Sequence, residues 1–348
     1  MQKAILALVT LLTVVWVAIR RIFKGPLHPG WSYRYEAIAE VLRKANAKGL
    51  SLPITTMRRS MFPARVHPTL RESVSHERRT FAGLPAEIFT VTGWTDADPT
   101  ILYLHGGGYI VCSPATHRDL VSRIAVASGA RAIVVDYRKA PEFPFPAPID
   151  DAETAYRALL DAGTPPERLF VAGDSAGGGL ALALLQRIKA GSLPMPRAAI
   201  LLSPWVDLEC TGESIAKNAR YDYLPVPGLA WSVEQYLGTG DRRHPHVSAV
   251  HAELSGLPPL LIQTGSAELF LSENELLAKR AREAGVEVTH EIEPGMIHVF
   301  QALATFVPEV DVAIQRIGSF VRAHAVRISR PSLAGGLEIP IASMDSRH

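Results

Sequence analysis

Gly173-Asp174-Ser175-Ala176-Gly177 is a G-x-S-x-G pentapeptide. A serine hydroxyl becomes a useful nucleophile only when a base takes its proton and the backbone presents it unobstructed. Small residues on either side of Ser175 permit a tight strand-to-helix turn that lifts it above a sheet. The helix start behind it supplies positive potential where an oxyanion would form. His105-Gly106-Gly107-Gly108 is the second such element. Its glycines let backbone N–H groups turn toward a bound carbonyl oxygen with no side chain in the way. Together with the N–H of Ala176 they would make a three-donor oxyanion hole. A phosphate-cradling loop fails on residue types, because no Lys-Ser/Thr follows and G-x-G-x-x-G is absent. His105 reads as a residue that orients the loop by hydrogen bonding and not as a base.

A nucleophilic serine needs a base, and the base needs a carboxylate to fix its tautomer. Of the 12 histidines, His298 stands in a Pro-Gly-Met-Ile-His loop directly after the last expected strand. Glu268 follows the run Leu260–Thr264 through Gly265-Ser266-Ala267, at the C-terminal end of a strand, where open α/β sheets build their sites. Glu273 and Glu275 nearby fall at a helix start, where acidic residues commonly serve the macrodipole. The order Ser175, Glu268, His298 is the chain order of an α/β-hydrolase triad.

The elements that must hold these residues alternate. Short apolar runs at Ala86–Val91, Thr100–Leu104, Ala132–Tyr137, Leu169–Ala172, Ala198–Leu202, Leu260–Thr264 and Glu287–Glu291 read as strands. Helical patterns fall near Arg118–Ser128, Ala152–Asp161, Gly177–Ala190 and Ser272–Ala284. Such alternation predicts an α/β fold with a mostly parallel sheet covered on both faces. A helix precedes it between Trp31 and Leu52, followed by a linker punctuated by Pro53, Pro63 and Pro68. From Asp207 to Glu253 the pattern breaks into a stretch rich in Tyr, Trp and Pro, a candidate lid or substrate pocket. Tyr109, Trp205, Tyr221, Tyr223 and Trp231 are candidate pocket residues, with packing as the other reading. The resulting division is an apolar segment at 1–24, cap helices at 25–60, a catalytic domain at 61–325 with its insertion at about 206–253, and a disordered tail at 326–348.

The chain has 348 residues, 36 Lys and Arg against 34 Asp and Glu, and a 47% hydrophobic content. That composition excludes a disordered chain, a fibrous repeat and a disulfide scaffold. The near-zero charge argues against a nucleic-acid partner. Cys112 and Cys210 match no metal-ligand spacing and read as reduced thiols. No metal or organic cofactor is called for. Residues 4–19 are 16 positions without a charge, flanked by Lys3 and by Arg20, Arg21 and Lys24. A membrane anchor, a packed lid helix and a cleaved signal peptide compete for this segment; the missing small-residue cleavage site counts against the last. The heavier positive charge on its C-terminal side would keep the main domain cytoplasmic. A homodimer is left open.

Five blocks taken together resemble the hormone-sensitive-lipase-like branch of the α/β-hydrolase family, in its bacterial esterase type: HGGGYI at 105–110, VVDYRKAPEFPFPA at 134–147, AGDSAGGGLA at 172–181, GMIHVF at 295–300 and the acid-bearing PPLLIQTGSAELFLSE at 258–273. The likeness covers about residues 60–325. It implies an eight-stranded, mostly parallel sheet with a helical cap built from the N-terminal helices and the insertion after Pro204. It assigns Ser175 as nucleophile, His298 as base, Glu268 as its carboxylate partner, and Gly106, Gly107 and Ala176 as oxyanion-hole donors. Many relatives carry Asp where Glu268 stands. Arg138 and Glu142 would tie loops together. The implied activity is hydrolysis of short- to medium-chain acyl esters through an acyl-enzyme. An amidase, lactonase or deacetylase would use the same triad. A non-catalytic ligand receptor on this scaffold would lack the histidine that is present here.

Overall fold

The near-continuous apolar runs are strands because both of their faces are covered. The computed structural model describes residues 2–325, with side chains from residue 9 onward; the expected tail at 326–348 lies outside the described residues. Strands β1 (Val74–Phe81), β2 (Leu84–Val91), β3 (Thr100–Leu104), β4 (Arg131–Val135), β5 (Leu169–Asp174), β6 (Ala198–Leu202), β7 (Leu260–Gly265) and β8 (Val288–Glu293) form one sheet in the order β1-β2-β4-β3-β5-β6-β7-β8. Only the β1–β2 and β2–β4 pairings are antiparallel, and the remaining five are parallel.

Alternate residues of each central strand enter opposite cores. Leu102, Leu104, Val171 and Leu201 face the layer that contains α5 (Ala147–Asp161), α6 (Ala176–Ala190) and α9 (Leu271–Glu283). Ile101, Tyr103, Ala172 and Ile200 face α4 (Arg118–Ser128) and α10 (Asp311–His324). The expected α/β architecture, mostly parallel and eight-stranded, is therefore the one observed. β1 had no counterpart in the hydropathy pattern, because VSHERRTF is a largely exposed edge strand whose partner is the hairpin arm β2.

Three helices precede the sheet: α1 (Gln2–Lys24), α2 (Tyr33–Gly49) and α3 (Ile54–Ser60). The last falls inside the stretch expected as a linker. Trp31 and Tyr35 at the start of α2 enter the same core as α4 and α10. Arg58 of α3 ties the loop after β3 to the loop after β4, donating to Ile110 O at 2.7 Å in the first and to Ala140 O at 2.6 Å and both oxygens of Glu142 at 2.8 Å in the second. Arg138 pairs with Asp151 of α5 at 2.7 Å. The insertion holds two helices, α7 (Glu213–Asn218) and α8 (Val226–Leu237), rather than being irregular throughout.

Helix α6 lies hard against the end of β3. A methyl group built on Gly177 would stand 2.0 Å from the carbonyl oxygen of Leu104. Because that oxygen belongs to a central strand, the clash cannot be relieved by a rotamer change. Gly177→Ala is expected to cost at least about 3 kcal/mol, read as a lower urea midpoint with an unchanged slope.

Candidate functional site

Ser175 joins β5 to α6 with φ 54° and ψ −125°, a strained backbone conformation for a residue with a side chain. The corner is held from three directions. Ser175 N donates to Leu202 O at 2.9 Å, and Ser175 O accepts from Trp205 N at 2.9 Å and Gly178 N at 3.0 Å. From Leu169 to Leu185 every residue is buried except Ser175. The strained corner thus brings one side chain out of an otherwise closed layer.

Glu268 lies in the loop between β7 and α9, and His298 in the loop after β8; they are 0% and 2% exposed. Glu268 Oε2 accepts from Ser203 Oγ and from Gly265 N, both at 2.7 Å. Its other oxygen, Oε1, stands 4.0 Å from His298 Nδ1, and among the described residues neither atom has another hydrogen-bond partner. Ser203, directly after β6, also accepts from Val299 N at 3.0 Å. One hydroxyl therefore spans the acid loop and the histidine loop. Phe270, edge-on with its centroid 5.0 Å away, and Tyr223 at 6.0 Å flank the imidazole. The histidine loop is fastened to α2 as well: Tyr35 Oη accepts from Ile297 N at 2.9 Å, and Trp31 Nε1 donates to Gly295 O.

A second carboxyl enters from the insertion. Asp222 is fully buried; its Oδ1 accepts from Tyr223 N at 2.7 Å and His298 N at 3.3 Å, and its Oδ2 from Leu269 N at 2.8 Å. It joins the insertion to both the acid loop and the histidine loop. Burial pushes its pKa up to about 6, only partly offset by the nearby charge of His298. No local motif marks Asp222; an acid set between Tyr221 and Tyr223 is its only sequence signal.

The glycine loop after β3 is braced by Asp174, the residue before the serine. Asp174 Oδ1 accepts from Tyr103 Oη at 2.8 Å and from Gly106 N at 3.0 Å, and His117 Nε2 stands 3.2 Å away. Burial raises the pKa of this carboxyl, but His117, the hydrogen bond from Tyr103 and the nearby His105 together outweigh it and hold it below the usual range. The bond to Gly106 corrects one expectation. Its N–H is already taken and cannot serve an oxyanion. The N–H groups of Gly107, Gly108 and Ala176 have no backbone or side-chain acceptor among the described residues. Gly107 adopts φ 115°, and a methyl there would meet Val111 O at 2.3 Å, so the loop tolerates no side chain at that position. His105 is fully buried, stacked on Tyr137 at 4.4 Å with Nδ1 2.8 Å from Gly106 O, which suits an orienting role.

Two of the expected pocket aromatics are packing residues. Tyr109 is 1% exposed and stacks on Tyr236 of α8 at 3.8 Å; Trp205 is 2% exposed and stacks on Phe270 at 5.7 Å. Neither presents a surface to a ligand. Tyr223 is half-buried and adjoins His298, whereas Tyr221 packs with His28 and Trp31. Trp231 packs partly buried against the core. Glu273 is buried in α9 and accepts from Val206 N at 2.8 Å, a structural assignment. Cys112 and Cys210 are free thiols. Asp207, Glu209 and His251 could reach a common cation. Their groups are already committed, Asp207 to Glu209 N and Thr211, and Glu209 to His251 at 3.1 Å.

Asp222 predicts a pH dependence. Its folded pKa is raised above the unfolded value, so its contribution is full below about pH 4 and lost as pH rises through about 6. The stability of wild type relative to Asp222→Asn is therefore expected to fall by up to about 3 kcal/mol between those limits. Parallel urea titrations at pH 4 and pH 7 measure it, and a difference independent of pH contradicts the assignment.

A family model described as alpha/beta hydrolase fold matches residues 101–302. The chain is 46% identical over 224 residues to an acetyl-hydrolase of Streptomyces hygroscopicus, covering 64% of this chain and 75% of that one. It is 31% identical over 235 residues to an ethyl acetate hydrolase of Pseudomonas putida, covering 66% and 74%. Among solved structures it is similar to a hormone-sensitive lipase from a metagenome library, with a TM-score of 0.76, 40% identity, and coverage of 82% of this chain and 98% of that one. The protein belongs to the alpha/beta-hydrolase family, in its hormone-sensitive-lipase-like branch of bacterial esterases, and is a serine hydrolase acting on ester bonds.

Proposed function

We propose that the protein hydrolyses short-chain acyl esters, acetyl esters foremost, through an acyl-enzyme on Ser175. The observation that carries the assignment of residues is the Glu268–His298 pair: two buried polar atoms, each lacking any other partner among the described residues, facing one another at 4.0 Å. Such atoms are costly to bury unless they bond to each other, and catalytic hydrogen bonds often tighten only when substrate is bound. Glu268 fixes the tautomer of His298, with Nδ1 protonated toward the carboxylate. The other ring nitrogen then takes the Ser175 proton as the hydroxyl attacks the ester carbonyl. The N–H groups of Gly107, Gly108 and Ala176 receive the developing oxyanion. His298 returns the proton to the departing alcohol, and water releases the acid by the same route. Tyr223 borders the bound ester.

Two features support a short acyl group. The large side chains around the serine corner, Tyr109 on Tyr236 and Trp205 on Phe270, are committed to stacking on one another rather than to lining a long acyl channel. The names of the acetyl-hydrolase and the ethyl acetate hydrolase point the same way.

Turnover of p-nitrophenyl esters from acetate to palmitate tests the proposal. The rate is expected to be highest on acetate and butyrate and at least about tenfold lower on decanoate. Ser175→Ala is expected to lose at least about 10⁴-fold in kcat/KM. A preference for palmitate would overturn the short-chain reading. A folded Ser175→Ala variant with near wild-type turnover would overturn the nucleophile.

A further inference from the structure

Helix α1 is apolar on two sides, and only one of them is used. Thr13 and Val17 are 2% and 0% exposed and face α2. Tyr33 Oη donates to Val14 O at 2.9 Å, and Arg20 and Arg21 pair with the buried Glu36. This fastens the helix to the body, one of the alternatives left by the sequence. Between Val9 and Phe23 all eight exposed side chains are apolar. Leu11 and Leu12 are 59% exposed, Ile22 78% and Phe23 80%. At 100° per residue they cover an arc of about 160° opposite the packed face. A patch of this kind on a soluble domain marks an interaction surface.

Charge identifies what covers it. Residues 1–72 carry 12 Lys and Arg against 3 Asp and Glu, a net of +9, so the rest of the chain carries −7 of the total +2. Lys24, Lys44 and Lys48 are exposed and have no carboxylate partner among the described residues. Lys44 Nζ stands 5.0 Å from the ring of the half-exposed Trp16, and the Arg20 guanidinium 5.5 Å from it. An indole with cations over its face suits the boundary between headgroups and acyl chains. A two-fold contact with a second copy would instead set this basic region against itself. Among the described residues no helix is long and apolar enough to cross a membrane.

We infer that α1 lies in the plane of an anionic lipid surface, with its exposed apolar arc below the headgroups and the basic N-terminal region against them. α2 then links that surface to the histidine loop, since α2 packs on α1 while Tyr35 and Trp31 hold Ile297 and Gly295. This mode of docking is independent of the ester chemistry.

Flotation of the full chain with vesicles tests it. Phosphatidylcholine vesicles containing roughly one third phosphatidylglycerol are expected to bind at least about tenfold more strongly than phosphatidylcholine alone. The excess should vanish when salt rises from about 0.05 M to about 0.5 M. Leu12→Asp and Phe23→Asp, at exposed positions remote from the site, should each lower binding about tenfold and leave turnover of soluble p-nitrophenyl acetate unchanged. Absence of vesicle binding, equal binding to both compositions, or undiminished binding by both variants would overturn the inference. So would a dimer in sedimentation that Leu12→Asp dissolves, because a second copy would then be the occupant.

Discussion

The interaction on which the rest depends is the buried contact between Glu268 and His298. A carboxylate and an imidazole withdrawn from water cost several kcal/mol unless each polar atom finds a partner. Glu268 satisfies one oxygen on Ser203 and Gly265 and leaves the other facing the ring. Nothing local could maintain that geometry, because the two residues sit on separate loops at the sheet edge. The fold converges on those loops from several sides. The turn after β6 supplies Ser203, the insertion supplies Asp222, α2 supplies Tyr35, and the residues just before α2 supply Trp31. Each holds backbone N–H or C=O groups, so the loops are pinned by their main chain and the side chains inherit the orientation.

The serine corner follows a complementary logic. Its positive φ is a standing cost met by the surrounding sheet, since Ser175 N and O are both bonded to the segment around β6 and Trp205. Asp174 extends the same rigidity to the glycine loop, taking one N–H, that of Gly106, to anchor the turn and leaving the next two unpaired. A single buried carboxylate beside the nucleophile therefore fixes the loop opposite it. His117 and Tyr103 favour its charged form despite its burial.

Much of this was legible in the residues because the chemistry demands particular types at short spacing. The small residues around Ser175 and the three glycines after His105 have no reason to cluster except close backbone approach, and the apolar strand runs reveal their two-sided burial. What could not be read depends on contacts distant in sequence. Gly106 is engaged by an acid 68 residues away, which no local pattern reveals. Asp222 accepts from backbone N–H groups 47 and 76 residues later, one in the acid loop and one in the histidine loop. Aromatic content alone does not distinguish a lining from a packed stack, so the sequence leaves both readings open for Tyr109 and Trp205 and the stacking decides for packing. β1 was lost because its polar, exposed side chains hide a strand whose only requirement is an edge to pair with. The apolar helix α1 showed its length and composition but not which face would be buried.

Kinetics of Glu268→Gln on p-nitrophenyl acetate test the central claim most directly, since the substitution keeps the shape and removes the charge that faces His298. The account predicts a fall in kcat/KM of about 10⁴-fold, with a thermal midpoint within a few degrees of wild type. Retention of activity to within about tenfold by the folded variant would contradict it, and would transfer the orienting role to the other buried carboxyl, Asp222.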